Sequence, residues 1–145
     1  MHWITLIICA AVASFGPHSD NHQALLRRLT SDEITSALRG RIVSYSPPGW
    51  SDAGVQEEYD EDGGWTGMRF GRGPFPFSGS WTIRKDQLCV RAEKGLTGDK
   101  WQHGWVCRKV WMDSSGKLLM AHMIFGLSPQ LGLGPLELSI RVPSN

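Results

Sequence analysis

The spacing of apolar residues changes character at Gly40. Upstream, Thr30-Ser31-Asp32-Glu33 has the form of a capping box, in which the threonine oxygen accepts from the backbone at Glu33 and the glutamate reaches back. Ile34 and Leu38 then fall four apart on one helical face, and Gly40 offers a left-handed stop. This predicts one short helix, with Leu25, Leu26 and Leu29 forming an earlier turn that runs into it. Downstream the period becomes two. The alternation predicts strands at 41–45, 55–59, 65–70, 80–85, 87–93, 105–113, 117–124 and 136–142. Ser46-Pro47-Pro48-Gly49, Asp62-Gly63-Gly64, the stretch 95–98 and Ser114-Ser115-Gly116 supply the turns between them. The last strand alternates cleanly, with Leu136, Leu138, Ile140 and Val142 on one face. The expected fold is mainly β: a small antiparallel up-and-down barrel or tight sandwich of about eight strands, with one N-terminal helix across one end.

The first residues follow a different pattern. Residues 4–10 are a short apolar run, and Ala11-Val12-Ala13 has the small-x-small form of a signal-peptidase site. The run is too short to span a bilayer, which takes about 20 apolar residues. Its start carries His2 instead of Lys or Arg, and Leu6-Ile7-Ile8 before Cys9 lacks the small residues of a lipobox. A buried N-terminal strand is the competing reading. The organisation expected is a signal peptide at 1–13, a leader and start of helix at 14–29, and one domain at 30–142, in the periplasm or outside the cell.

Cleavage after Ala13 removes Cys9 and leaves Cys89 and Cys107, an even pair that in an exported chain reads as a disulfide. The bridge closes a loop of about 18 residues, worth roughly 3 kcal/mol on the chain-entropy account. A zinc site needs more ligands than two thiols, and no histidine stands at finger-like spacing from them. Setting Cys89 opposite Cys107 puts Val90 opposite Val106. Leu88, Val90 and Ala92 then share an inner face with Val106, Val110 and Met112, and the cysteines lie on the other face with Trp105 and Trp111. A register shift of one or two residues, or a bulge at Gly104, is the alternative.

The formal net charge is +1, with 15 basic and 14 acidic side chains spread through the chain, so no basic run argues for nucleic acid. An apolar fraction of 41% is ordinary for a folded domain.

Leu38-Arg39-Gly40, Tyr59-Asp60-Glu61-Asp62-Gly63, Trp65-Thr66-Gly67, Gly79-Ser80-Trp81-Thr82-Ile83, Asp86-Gln87-Leu88-Cys89-Val90, Cys107, and Asp113 with Gly116 together span a little over half of the chain. In these elements the chain resembles a group of short secreted bacterial proteins, mainly alphaproteobacterial, that carry a domain of unknown function. The resemblance implies a secreted, lipocalin-like β-barrel with a cysteine pair, and implies no activity. A looser likeness is to periplasmic inhibitors of proteases or lysozyme, also disulfide-bearing barrels, although none of their inhibitory residues matches a position here.

Candidate chemistry is sparse. In Glu57-Glu58-Tyr59-Asp60-Glu61-Asp62-Gly63, Asp60, Asp62 and Gly63 echo the start of a calcium loop. The remainder of that pattern is missing, so the segment reads as a solvated acidic turn. His18 and His22 lack the glutamate of a metalloprotease helix, and His122 alternates with apolar residues as an inward strand position. No serine stands in a nucleophile elbow, and no glycine-rich loop opens a helix.

The aromatics carry more. Of seven tryptophans all but Trp3 remain after cleavage. Trp65, Trp81, Trp105 and Trp111 fall on strands. Trp50, Phe75, Phe77 and Trp101 fall on expected loops, and are the candidate binding residues. They read either as a rim of anchors round a barrel mouth or as plugs folded over its end. The function expected is a non-catalytic exported binding protein acting on a protein partner through these loops. A carrier of a small apolar ligand in the barrel interior is the alternative, and a hydrolytic enzyme stands behind both. No cofactor, metal, nucleic acid or transmembrane segment is expected, and the chain is read as a monomer.

Overall fold

The computed structural model describes residues 25–46, 54–71, 73–98, 101, 104–121 and 135–144. The elements in order are β1 (Arg27–Arg28), α1 (Ser31–Leu38), β2 (Arg41–Tyr45), β3 (Val55–Tyr59), β4 (Gly64–Arg69), β5 (Phe75–Ile83), β6 (Leu88–Lys94), β7 (Val106–Arg108), β8 (Val110–Met112), β9 (Leu118–Met120), β10 (Leu136–Glu137) and β11 (Ser139–Arg141). No described helix is long and apolar enough to cross a membrane.

The fold is mainly β, as the alternation implies. One sheet runs β11-β2-β3-β4-β5-β6-β7 and the other β1-β8-β9-β10, all pairs antiparallel. Only Lys109 separates β7 from β8, and only Leu138 separates β10 from β11. Each is one bent strand that passes from sheet to sheet, so the pairing closes into a ring. Counting each bent run once and leaving out β1, the ring has eight strands. β6 begins at Leu88, short of the level that β8 reaches; β1 pairs there instead, with Arg27 opposite Met112.

Helix α1 closes one end. The capping box is made: the Glu33 N–H donates to Thr30 Oγ1 at 3.4 Å and the Thr30 N–H to Glu33 Oε2 at 2.9 Å. Ile34 and Leu38 point into the core. The two-residue turn between β5 and β6 holds Lys85 and Asp86 at positive φ, and Asp86 Oδ1 accepts from the Ser31 N–H at 2.7 Å and from its hydroxyl at 2.8 Å. At the other end of the helix the Gly40 N–H donates to the Tyr59 carbonyl at 2.7 Å.

Several expectations are corrected. Arg27 and Arg28 extend the sheet at the positions read as the start of the helix, and Leu25 and Leu26 are exposed while Leu29 is buried. The strand expected at 80–85 starts at Phe75, because Pro76 fits a strand here. Its carbonyl faces Gly95, so its missing N–H points the same way and no bond to β4 is lost. Val142 is exposed instead of closing the inner row. The cysteine register is the direct one: Cys89 faces Cys107, Val90 faces Val106, and the disulfide is formed.

Candidate functional site

Because the ring is an up-and-down meander, its loops sort by end. The helix, the β3–β4 turn and the β5–β6 turn lie at one end, and the β2–β3, β4–β5 and β6–β7 connections at the other. The three described candidate aromatics, Phe75, Phe77 and Trp101, come from this loop end.

Below that end the ring interior holds a charged cluster. Arg108 lies on β7 and Glu57 on β3, four strands apart, roughly 19 Å along a flat sheet. Across the curl they touch: Arg108 Nη2 donates to Glu57 Oε1 and Oε2, both at 3.0 Å, and to the Tyr59 hydroxyl at 2.9 Å. Tyr59 in turn donates to Glu57 Oε2 at 2.5 Å, and Arg108 Nη1 approaches the Tyr45 hydroxyl at 3.5 Å. Arg108 and Glu57 are both sealed from solvent. Burial, with the Glu57 charge beside them, pushes the phenols of Tyr45 and Tyr59 well up. Burial works against the Arg108 charge, yet Glu57 and the two tyrosines outweigh it and hold its pKa above the ordinary value. The Nε atoms of Arg108 and Trp65's indole are buried donors with no acceptor among the described residues. Proton transfer to a substrate needs access, which this cluster lacks. Its chemistry is that of a lock across the ring.

Aromatic rings fill the space toward the loop end. Phe77 lies over Gly67, where any Cβ would collide with its ring, and packs on Trp65 at 4.9 Å between centroids. Trp101 stacks on the same indole at 6.1 Å. Phe77 and Trp101 are 4% and 7% exposed, so these two are plugs and not rim anchors. Each has an apolar neighbour inside the ring that outcompetes solvent. Trp50 lies outside the described residues, as do His18, His22, His103 and His122.

Phe75 is 43% exposed, at the tip of the β4–β5 hairpin. Phe70, read from the sequence only as a strand end, is 46% exposed on the same tip. The Arg69 guanidinium sits 4.6 Å from the centre of the Phe75 ring, opposite it in the ladder. From Gly63 to Lys85 there is no acidic residue. Phe70 also borders a groove of about 570 Å³ where β2 and β10 diverge, lined by Tyr45, Gln56, Lys117, Glu137 and Leu138 among others. The floor residue Tyr45 is the one that reaches Arg108 below.

The acidic turn is solvated at Glu61 and Asp62, as its composition suggests. Burial and the charge of Asp62 push the Asp60 carboxyl up. Glu57, grouped with that turn in the sequence, belongs instead to the interior. Among the described residues no three His, Cys, Asp or Glu side chains converge as metal ligands. A scan of protein-family models, a search of curated proteins and a search of solved structures each find no match to the chain.

Proposed function

We propose that the chain is an exported, non-catalytic binding protein that engages a protein partner through the tip of the β4–β5 hairpin. The observation that carries this reading is the exposed pair Phe70 and Phe75 with Arg69 stacked on the latter. Water opposes two exposed phenylalanines on one hairpin tip, and burying each side chain is worth about 1.5–3 kcal/mol. Aromatic and arginine side chains together are the usual composition of an interface centre. Export is supported by the apolar start of the chain and by the disulfide, which an oxidising compartment preserves.

The test compares wild type, Phe70→Ala/Phe75→Ala, and Glu61→Ala/Asp62→Ala at the opposite end, each immobilised and exposed to periplasmic extract and culture medium. A partner acting at the hairpin is recovered by the first and third forms and falls at least about tenfold with the second. Equal recovery by all three removes the reading.

A second reading, a carrier using the ring interior, has one observation in its favour: the buried donors Trp65 Nε1 and Arg108 Nε lack acceptors among the described residues. A ligand with an acceptor for each and an apolar body would satisfy them. Native mass spectrometry of the protein taken from its producing cells checks this. Its expected result is a bound small molecule, and a bare chain alone counts against it.

A further inference from the structure

We propose that the Cys89–Cys107 bridge is a site of thiol–disulfide exchange, entered at Cys107 by small carboxylate-bearing thiols. The proposal does not rest on the hairpin reading.

Cys89 and Cys107 face each other on β6 and β7 with both side chains on the outer wall. Cys107 is exposed and Cys89 is fully covered. The register explains the cover. Thr82 is opposite Cys89, so Arg84 comes two positions beyond it, just past the end of β5, while Trp105 lies two positions before Cys107, just ahead of β7. The Arg84 guanidinium is 4.5 Å from the Trp105 ring centre, so its side chain reaches from the β5 side to the β7 side across β6, the strand that carries Cys89. Arg91 reaches the same ring at 5.1 Å, and Lys109 is exposed two residues after Cys107. Glu93, 3.6 Å from Arg91, is the carboxylate that offsets part of this charge.

Exchange is governed by access to the attacked sulfur and by the stability of the departing thiolate. Here the accessible sulfur is Cys107, and the departing one lies on the strand that the Arg84 side chain crosses, where a nearby guanidinium favours the thiolate form. The surrounding cations raise the local concentration of an anionic thiol. In the first step the incoming thiolate bonds to Cys107 Sγ, the Cys89–Cys107 bond breaks, and its electron pair stays on Cys89 Sγ. A second thiol then attacks the mixed disulfide and releases Cys107 as a thiolate. Two thiols are oxidised to one disulfide, the protein gains the two electrons, and the protons lost by the thiols go to the protein sulfurs or solvent. β7 is thereby untied from β6 next to Arg108.

The oxidised full chain is treated with reduced glutathione, a thiol with two carboxylates, and separately with cysteamine, a cationic thiol, at equal thiolate concentration. Acid-quenched samples are mapped by peptide mass spectrometry. The expected result is a mixed disulfide on Cys107, formed at least about tenfold faster by glutathione. Arg84→Gln/Arg91→Gln slows glutathione about fivefold or more and leaves cysteamine no slower. For the unmodified chain, about 1 M salt, where the Debye length is about 3 Å, removes most of the preference. An adduct on Cys89, equal rates for the two thiols, or reaction only in urea would each overturn the proposal.

Discussion

Arg108 and Glu57 are charged and sealed from water, so each depends on the other to be tolerated where it is. Replacing Arg108 by Met leaves a buried carboxylate facing two tyrosines, and the expected cost is about 3–5 kcal/mol. Replacing both, as Glu57→Leu/Arg108→Met, removes the desolvation penalty with the attraction, and most of that loss should return. Urea unfolding of the two single variants and the double variant measures the difference, and a double variant as weak as the singles would mean the pair is more than a lock. Asp86 is a carboxylate of another kind, exposed and held by Ser31. The hydroxyl and backbone of Ser31, with Arg28 nearby, draw its pKa below the ordinary 3.8. A folded-state pKa below the unfolded one adds stability that is present above about pH 4 and is lost as pH falls through the folded value. Asp86→Asn tolerates the same left-handed backbone. It should therefore be less stable than wild type near pH 7, with the gap narrowing below about pH 4 in urea titrations at each pH.

Between strands, the packing depends on one missing side chain. Gly67→Ala would ordinarily suit a strand better than glycine does. Here the Phe77 ring and the Gln56 carbonyl occupy the place of the new methyl group, so overpacking should cost about 1–3 kcal/mol. The indole fluorescence of Trp65 should shift as Phe77 is pushed off it, and an unchanged spectrum with full stability would contradict this packing. The same strands show what was readable from sequence. The helix was legible because its cap, apolar face and glycine stop are local. Strand alternation was legible for the same reason, and two parity signals were present but unread: Glu57 between Val55 and Tyr59, and Arg108 between Val106 and Val110. A charge on an apolar row asks for a partner, but naming that partner requires knowing that β3 faces β7 across the ring. Phe75 and Phe77 looked alike in Pro74-Phe75-Pro76-Phe77, and they do share the strand's parity; Phe77 lies far enough along β5 to reach Gly67, while Phe75 stands at the exposed hairpin tip.

Over the whole molecule, β7 is where three constraints meet. It hydrogen-bonds to β6, is tied to it by Cys89–Cys107, and sends Arg108 across the interior to β3, while its continuation as β8 carries the chain into the second sheet. The bridge and the ion pair therefore brace the same short strand from its outer and inner faces. Removing the bridge as Cys89→Ala/Cys107→Ser should cost about 3 kcal/mol. In that background Arg108→Met should cost less than it does alone, because a β7 already free to move lets water reach Glu57. Residues that share a strand in this way show coupling of about 0.5–3 kcal/mol. Urea unfolding of the four forms gives the cycle. Strict additivity would mean that the disulfide and the buried pair hold the ring independently, and that opening one leaves the other's hold on β3 intact.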